Sequence, residues 1–309
     1  MDQLTALRVF VRIAESGGFG KASDALDMPR ATVTKLIQEL EQHLGVKLFQ
    51  RSTRKVSVTD EGKAYYQRAT QVLADLDEMD TLFSDPQDGP RGRLRVDVGS
   101  SLANLILLPR LVEFRAAFPH IRLELGVSDR HVDLVGDAVD CVIRGGALTD
   151  TSLVARRIAS LDYVTCASPL YLRARGTPAH PDDLREKHDV VGYFSSLTGR
   201  PFRLLFQRGE DTMEIDPRSS HGLLVNESTA HLNALVHGLG VGQTFGFMAA
   251  PYLESGRLVH LLPDWQRPLH DLHVVFERSK HENARLRAFV EWVARVFQPY
   301  DRHPGRDRG

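Results

Sequence analysis

The break Asp27-Met28-Pro29, lying between two apolar stripes of helical period, constrains the fold of this chain more than any other feature. Proline lacks a backbone donor and disfavours helix in the residue before it, so one helix ends here and another begins. Upstream, Ala22, Ala25 and Leu26 share one face of a helix expected over residues 20–26. Downstream, Val33, Ile37, Leu40 and Leu44 recur at helical spacing and predict a helix over Arg30–Leu44 with a single buried stripe. Its other face begins with Arg30, Thr34, Lys35 and Gln38. An ordinary helical hairpin with a solvated face would satisfy this much. The next segment asks for more: Gly45 stands where a helix stop is wanted, and Lys47-Leu48-Phe49-Gln50-Arg51-Ser52-Thr53-Arg54-Lys55 runs into the alternating Val56-Ser57-Val58. A helix pair followed by a basic hairpin is the layout of a winged DNA reader, whose second helix presents side chains to base edges in the major groove. Between residues 30 and 55, Arg30, Lys35, Lys47, Arg51, Arg54 and Lys55 stand against Glu39 and Glu41, so positive charge gathers where phosphate contacts are needed. The net charge of −1 for the 309 residues does not by itself suggest nucleic acid; the basic residues have to be concentrated on one face.

Leu7-Arg8-Val9-Phe10, Gly17-Gly18-Phe19-Gly20-Lys21-Ala22-Ser23-Asp24-Ala25-Leu26, Gly45-Val46-Lys47-Leu48-Phe49, Arg51-Ser52-Thr53-Arg54-Lys55-Val56 and Thr59-Asp60-Glu61-Gly62 together resemble the winged helix-turn-helix of the LysR-type transcriptional regulators. The resemblance extends over most of the chain. It implies that Arg30, Ala31, Thr34 and Lys35 reach the major groove while the wing residue Arg54 enters the minor groove; Thr32, Gln38, Arg51 and Lys55 complete the candidate DNA-binding set. The chain departs from the family pattern where Ser-Gln, small residues and Ser-Arg are usual, carrying Pro29-Arg30-Ala31-Thr32 and Thr34-Lys35 instead. The mode of binding survives that change, whereas the operator sequence does not follow from it. Arg30 suits a bidentate pair with guanine and Lys35 a guanine or a phosphate, each good base contact contributing about 1–3 kcal/mol of discrimination.

Thr59 is expected to cap a long helix that has Asp60 and Glu61 at its positive end. Tyr65, Ala69, Val72, Leu76, Met79 and Phe83 form a heptad seam along it, which suits a partner helix but could also pack within one chain. A dimer is favoured because a binder of this kind reads two half-sites of an inverted repeat, and because the family pairs subunits through this helix. Family behaviour further implies a tetramer. The expected organisation is a DNA-binding domain at 1–58, a linker and dimerisation helix at 59–84, a hinge of breakers at 85–90, an effector domain at 91–300 and a disordered tail at 301–309.

Beyond the hinge the pattern is mixed. Leu94, Val96 and Val98 alternate with polar residues, a helical stretch covers 102–118, and Ile121, Leu123, Leu125 and Val127 alternate again. With a short helix near 131–136 and a strand at 140–144, these predict an α/β lobe with a mainly parallel sheet. A second lobe is expected over 162–266, and residues 267–300 return to complete the first lobe begun at 91–161. Two α/β lobes facing across a cleft resemble periplasmic binding proteins and the effector domain of the LysR family. Gly99-Ser100-Ser101 sits at a strand-to-helix turn that could hold a polar or anionic ligand, although plain capping explains the same residues. By resemblance the effector site comprises Ser100, Ser101, Ser128, Arg144, Gly145, Phe194, Ser195, Asn226, Thr244 and Phe245. Ser100, Ser101, Ser128 and Arg144 are expected as polar contacts and Phe245 as an apolar wall. An arginine there points to a carboxylate or similar anion, the plain alternative being an ion pair at a sheet edge.

Enzymatic classes find no support. The thirteen histidines show no metal-ligand spacing, and no nucleophile elbow, phosphate-cradling loop or Cys-x-x-Cys occurs, so neither a metal nor a cofactor is expected. Cys141 and Cys166 fall in apolar strand patterns and read as small buried residues. A redox-responsive regulator using either cysteine, or a ligand-binding module with a silent DNA head, are the alternatives kept. No apolar stretch spans a bilayer and no signal peptide is present, so a cytoplasmic protein without a membrane partner is expected.

Overall fold

The computed structural model describes residues 2–51, 56–82, 89–130, 134, 139–145, 153–219, 221–278 and 283–303. The chain divides into two compact units, Met1–Arg93 and Leu94–Leu134 with Val139–Gly309. In the first, α1 (Gln3–Ser16), α2 (Phe19–Leu26) and α3 (Arg30–Leu44) are followed by the antiparallel pair β1 (Phe49–Arg51) and β2 (Val56–Val58) and by α4 (Asp60–Leu82). The helix break is made by Asp27, which takes a left-handed φ of 50° and closes α2 with its N–H on the Ser23 and Asp24 carbonyls, and then by Pro29 ahead of α3. Gly45, at φ 70°, ends α3 in the conformation that glycine adopts without a Cβ clash. Val33, Ile37 and Leu40 are fully buried as the stripe requires, and the core closes around Phe10, whose ring lies 5.3 Å from those of Phe49 and Tyr65.

Thr59 caps α4 as expected, its hydroxyl accepting the Gly62 N–H at 2.9 Å. The heptad seam is divided. Tyr65 and Ala69 turn inward onto the core of their own unit, because Phe10, Phe19 and Phe49 supply an apolar surface within the chain. Val72, 46% exposed, has no such cover. Phe83 and the breakers at 85–88 lie outside the described residues.

The second unit opens with β3 (Gly92–Val98), α5 (Ser100–Leu102), a π-helical turn at Ala103–Leu107, α6 (Leu108–Ala117), β4 (Ile121–Val127), β5 (Cys141–Gly145) and β6 (Leu153–Leu161). After Asp162 the chain continues through β7 (Tyr163–Ala167), α7 (Pro169–Arg175), α8 (Asp183–Glu186), β8 (Gly192–Tyr193), β9 (Leu204–Arg208), β10 (Asp211–Ile215), β11 (Leu224–Val225), α9 (Ser228–Val236), β12 (Gly242–Phe245), α10 (Gly246–Glu254) and β13 (Val259–His260). It closes with β14 (His270–Glu277) and α11 (Ala284–Phe297). One five-stranded sheet runs β4-β3-β5-β14-β6 and carries a core that includes Phe114, Phe289 and Trp292. A three-stranded sheet β12-β7-β13 and the pairs β8/β11 and β9/β10 serve two further cores.

The expected mainly parallel sheet is corrected to a mixed one. β3 and β5 are parallel, but β14 is antiparallel to both β5 and β6. The reason lies in the crossover: His270 pairs with Leu161, so the chain re-enters the sheet at the point where it left and must run back along β6. β6 and β10 were not foreseen, and the helix expected near 131–136 falls outside the described residues apart from Leu134. The tail is corrected too. Asp301 accepts the Ser160 N–H at 2.8 Å and pairs with Arg157 at 3.2 Å, while Arg302 pairs with Asp162 at 3.1 Å; these partners hold 301–303 against β6, and residues 304–309 are not described.

Candidate functional site

On the first unit, α3 presents the residues that the sequence proposes for DNA. Arg30, Ala31, Thr32, Lys35 and Gln38 are exposed and Thr34 half-buried, opposite the stripe formed by Val33, Ile37 and Leu40. Lys35 keeps 76% of its side chain in solvent and lies 3.9 Å from Glu39, a surface pair that leaves it available for phosphate or base. Arg51 ends β1, whereas Arg54 and Lys55 lie outside the described residues. Sequence reasoning missed Glu41. Although on α3, it is 5% exposed and turns away from solvent, accepting the N–H groups of Leu48 at 2.9 Å and Phe49 at 3.2 Å and pairing with Lys47 at 2.7 Å. One carboxylate thus ties the end of the helix to the start of the hairpin. Burial opposes its charge, but the Lys47 ammonium and the two N–H groups outweigh burial and hold the carboxyl below its ordinary range.

In the second unit a cavity of about 440 Å³ opens between the five-stranded sheet and the elements of the three-stranded one. Of the expected effector residues it is lined by Ser101, Ser128, Arg144, Gly145, Ser195, Thr244 and Phe245. Three others are placed differently. Ser100 is buried and its hydroxyl is engaged by Asp129, Glu227 and Ser228. Phe194 does not line the cavity; its N–H joins the Val225 carbonyl at 2.8 Å, extending the strand pairing of β8 and β11. Asn226 is exposed and is used through its backbone, the carbonyl accepting the Tyr193 hydroxyl at 3.0 Å. Gly145 has a steric reason to be glycine, since a Cβ there would collide with the His270 ring.

Ser128 and Arg144 both line the cavity. Among the described residues the buried Ser128 hydroxyl oxygen has no hydrogen-bond partner and Arg144 forms no ion pair. The cavity also contains groups that no local pattern announced: Asp129, Tyr163, Tyr193, Gln243, Arg267 and His270. Tyr163 and Phe245 stack at 4.5 Å with the Arg267 guanidinium 3.9 Å over the Tyr163 ring. Burial, and then the Asp129 and Glu227 carboxylates, push the Tyr193 phenol far above its ordinary range and keep it a neutral donor. Burial pushes His231 down to about 4; its Nε2 lies 2.9 Å from the Val191 carbonyl. No group of three or more metal-ligating side chains is assembled among the described residues.

Two family descriptions match this chain: "Bacterial regulatory helix-turn-helix protein, lysR family" over residues 4–63 and "LysR substrate binding domain" over 87–298. An HTH-type transcriptional repressor of Pseudomonas aeruginosa (strain UCBPP-PA14) is 36% identical, covering 96% of this chain and 93% of the relative. The HTH-type transcriptional regulator CrgA of Neisseria meningitidis serogroup C is 30% identical over 93% of this chain and 94% of its own. Among solved structures, full-length AphB, the virulence activator of Vibrio cholerae, superposes with a TM-score of 0.60 at 27% identity, covering 94% of this chain and 98% of that one. CrgA superposes with a TM-score of 0.59 at 29% identity, covering 94% and 97%.

Proposed function

Since this chain belongs to the LysR family of transcriptional regulators, we propose that it binds an inverted-repeat operator as a dimer and that a small anion, held in the cavity of its second unit, changes that binding. DNA binding by the helix-turn-helix and an effector-binding domain come with the family; the effector, the operator and the assembly are the proposal. The head comprises residues 1–58, the linker helix 59–84 pairs subunits, and 91–300 receives the effector. Arg30, Ala31, Thr32, Thr34, Lys35 and Gln38 read the major groove, and Arg51, Arg54 and Lys55 serve the wing. Residues 59–84 favour a dimer because Val72 of the seam remains exposed while the adjacent Leu73 packs on the core of its own unit. Tetramers follow the habit of the family, and a cytoplasmic location follows from work on DNA.

The observation that carries the anionic effector is a cavity lined by three arginines, Arg130, Arg144 and Arg267, none of which has a carboxylate partner among the described residues. Arginine in a partly desolvated site favours a carboxylate or another planar oxyanion. A ligand that prefers one arrangement of the domain over another shifts its population, and the paired heads with it; equal affinity for both would shift nothing. The redox alternative loses support, because both cysteines are buried and burial raises the Cys166 thiol to about 12, leaving negligible thiolate at neutral pH.

Genome-wide capture of DNA fragments by the purified protein at a stated salt concentration tests the DNA half, with an Arg30→Ala, Lys35→Ala double variant beside it. A few sites sharing an inverted repeat, lost in the variant, are expected. Uniform, salt-labile capture by both proteins would instead favour a ligand-binding module with a silent head.

A further inference from the structure

Besides Arg130 and Arg144, the cavity offers two places for negative charge, and their occupancy differs. The first is the pair of helix starts at Ser100 and Ser228. The chain's own carboxylates already fill it: Asp129 accepts the N–H groups of Ser100 and Ser228 at 2.6 Å each. Glu227 accepts the N–H groups of Thr229 at 3.0 Å and Ala230 at 2.6 Å, and the hydroxyls of Ser100 and Thr229. A third anion there would find the donors taken and two like charges beside it.

The second place is the return crossover at residues 266–270. Arg267 donates to Gln243 Oε1 at 3.3 Å and rests on the Tyr163 ring. A guanidinium has five N–H donors, so one such bond leaves most of them available. Burial lowers the pKa of this group, which nevertheless remains a cation. His270 lines the same cavity, its ring 6.0 Å from that of Tyr163 and 5.7 Å from that of Phe245. The groups around it are Arg267, Asp271 and His273 on its own segment, Tyr163 on β7, and Gly145 with the neighbouring Arg144 on β5; β12 contributes the uncharged Phe245.

Building on the reading of this cavity as the site of an anionic effector, we infer that the negative end of the ligand is received between Arg267 and His270, and that His270 takes up a proton from solvent as the ligand binds. In the unliganded protein burial, and then the Arg267 charge, hold His270 below its ordinary range and favour the neutral ring. An anion beside it offsets the arginine and stabilises the imidazolium. Linkage fixes the sign: ligand affinity rises as pH falls between the bound and unliganded pKa values of His270, by at most about tenfold per pH unit. His231, turned to the Val191 carbonyl, takes no part.

Bromide is the probe. In crystals of the full-length protein soaked in sodium bromide, an anomalous peak is expected within hydrogen-bonding reach of both Arg267 and His270. Peaks confined to Arg144, Ser128 or Ser100 would overturn the placement while preserving an anion site in the cavity; no peak there would remove the anionic-effector reading as well. In solution, the His270 Cε1–H resonance, assigned with His270→Asn, should titrate at higher pH with bromide than without it. Arg267→Gln should abolish that displacement and Arg267→Lys should retain part of it. An equal displacement in the wild type and in Arg267→Gln, or none in the wild type, overturns the coupling.

Discussion

The Asp129 carboxylate accepts the backbone N–H of Ser228 at 2.6 Å, joining the end of β4 to the start of a helix 99 positions further along the chain. Through Ser100, whose N–H it accepts at the same distance, the carboxylate ties two helix starts across the cavity. Alanine at 129 removes both bonds, and a hydrogen bond to a charged group contributes about 1.5–3 kcal/mol. Asp129→Ala is therefore expected to lower the unfolding free energy of the second unit by about 3 kcal/mol, read by urea denaturation. It should also admit bromide to the vacated N–H groups. A variant as stable as wild type would show that the clasp contributes nothing net.

Glu41 gives the first unit a pH dependence. Its folded-state pKa lies below the ordinary value of 4.5, so the stabilisation is fully present above that value and is lost as pH falls through the depressed one. Glu41→Gln cannot ionise and should flatten the acid limb of a plot of Tm against pH for this unit, while lowering Tm at neutral pH through loss of the Lys47 pair. Parallel acid limbs in the two proteins would assign the carboxylate no linkage.

Arg30 and Lys35 are exposed, so their loss should leave folding intact. Each alanine substitution is expected to weaken operator binding by about 1–3 kcal/mol if the side chain reads a base, measured by fluorescence anisotropy at fixed salt. A phosphate contact would show a different signature: binding falls evenly across sequences and the salt slope drops by about one.

Cys166 should resist iodoacetamide in the native protein at pH 8, because its thiol, raised to about 12, is almost wholly protonated and the side chain is buried. Mass spectrometry of the intact chain reads the outcome. Rapid native alkylation at this residue would restore the redox alternative.

The Arg157–Asp301 pair is largely enclosed, its side chains 17% and 11% exposed. Removing one partner of such a pair leaves a charge without its counterpart, and a loss of about 3 kcal/mol is expected for Asp301→Ala, discounted from the fully buried case for the solvent that remains. Thermal unfolding checks it.

The helix-turn-helix was legible because its signals are local. A stripe of period 3.6, a proline and a glycine at the right offsets fix α2, the turn and α3 whatever surrounds them. The seam of α4 was legible as apolar but not as to its partner: Tyr65 could face a second chain or Phe10, and only the packed core decides. The antiparallel course of β14 escaped because strand direction is set by where a chain re-enters a sheet, and β6, reading Leu-Val-Ala-Arg-Arg-Ile-Ala-Ser-Leu, lacks clean alternation. Ser128 and Arg144 are named through the family resemblance; Ser128 follows β4 and Arg144 lies within β5. Arg267 was not legible. Its neighbours in sequence, Gln266 and Pro268, carry no sign of a binding residue, and its environment is supplied by Tyr163 and Gln243 from elsewhere in the chain.

The position of β14 inside its sheet has a consequence for the order in which the protein matures. β6 joins the five-stranded sheet through β14, and the two meet across a separation as wide as that between Ser160 and Asp271, 111 positions apart. On a ribosome, which releases the chain from its N-terminus, domains fold as they emerge. The elements of the head are complete at Leu82, whereas the sheet waits for Glu277 with a strand-wide slot open beside β5. Every nascent chain therefore passes through a stage with the elements of the head complete and the five-stranded sheet unclosed, and translation that stops before His270 yields the helix-turn-helix without that sheet.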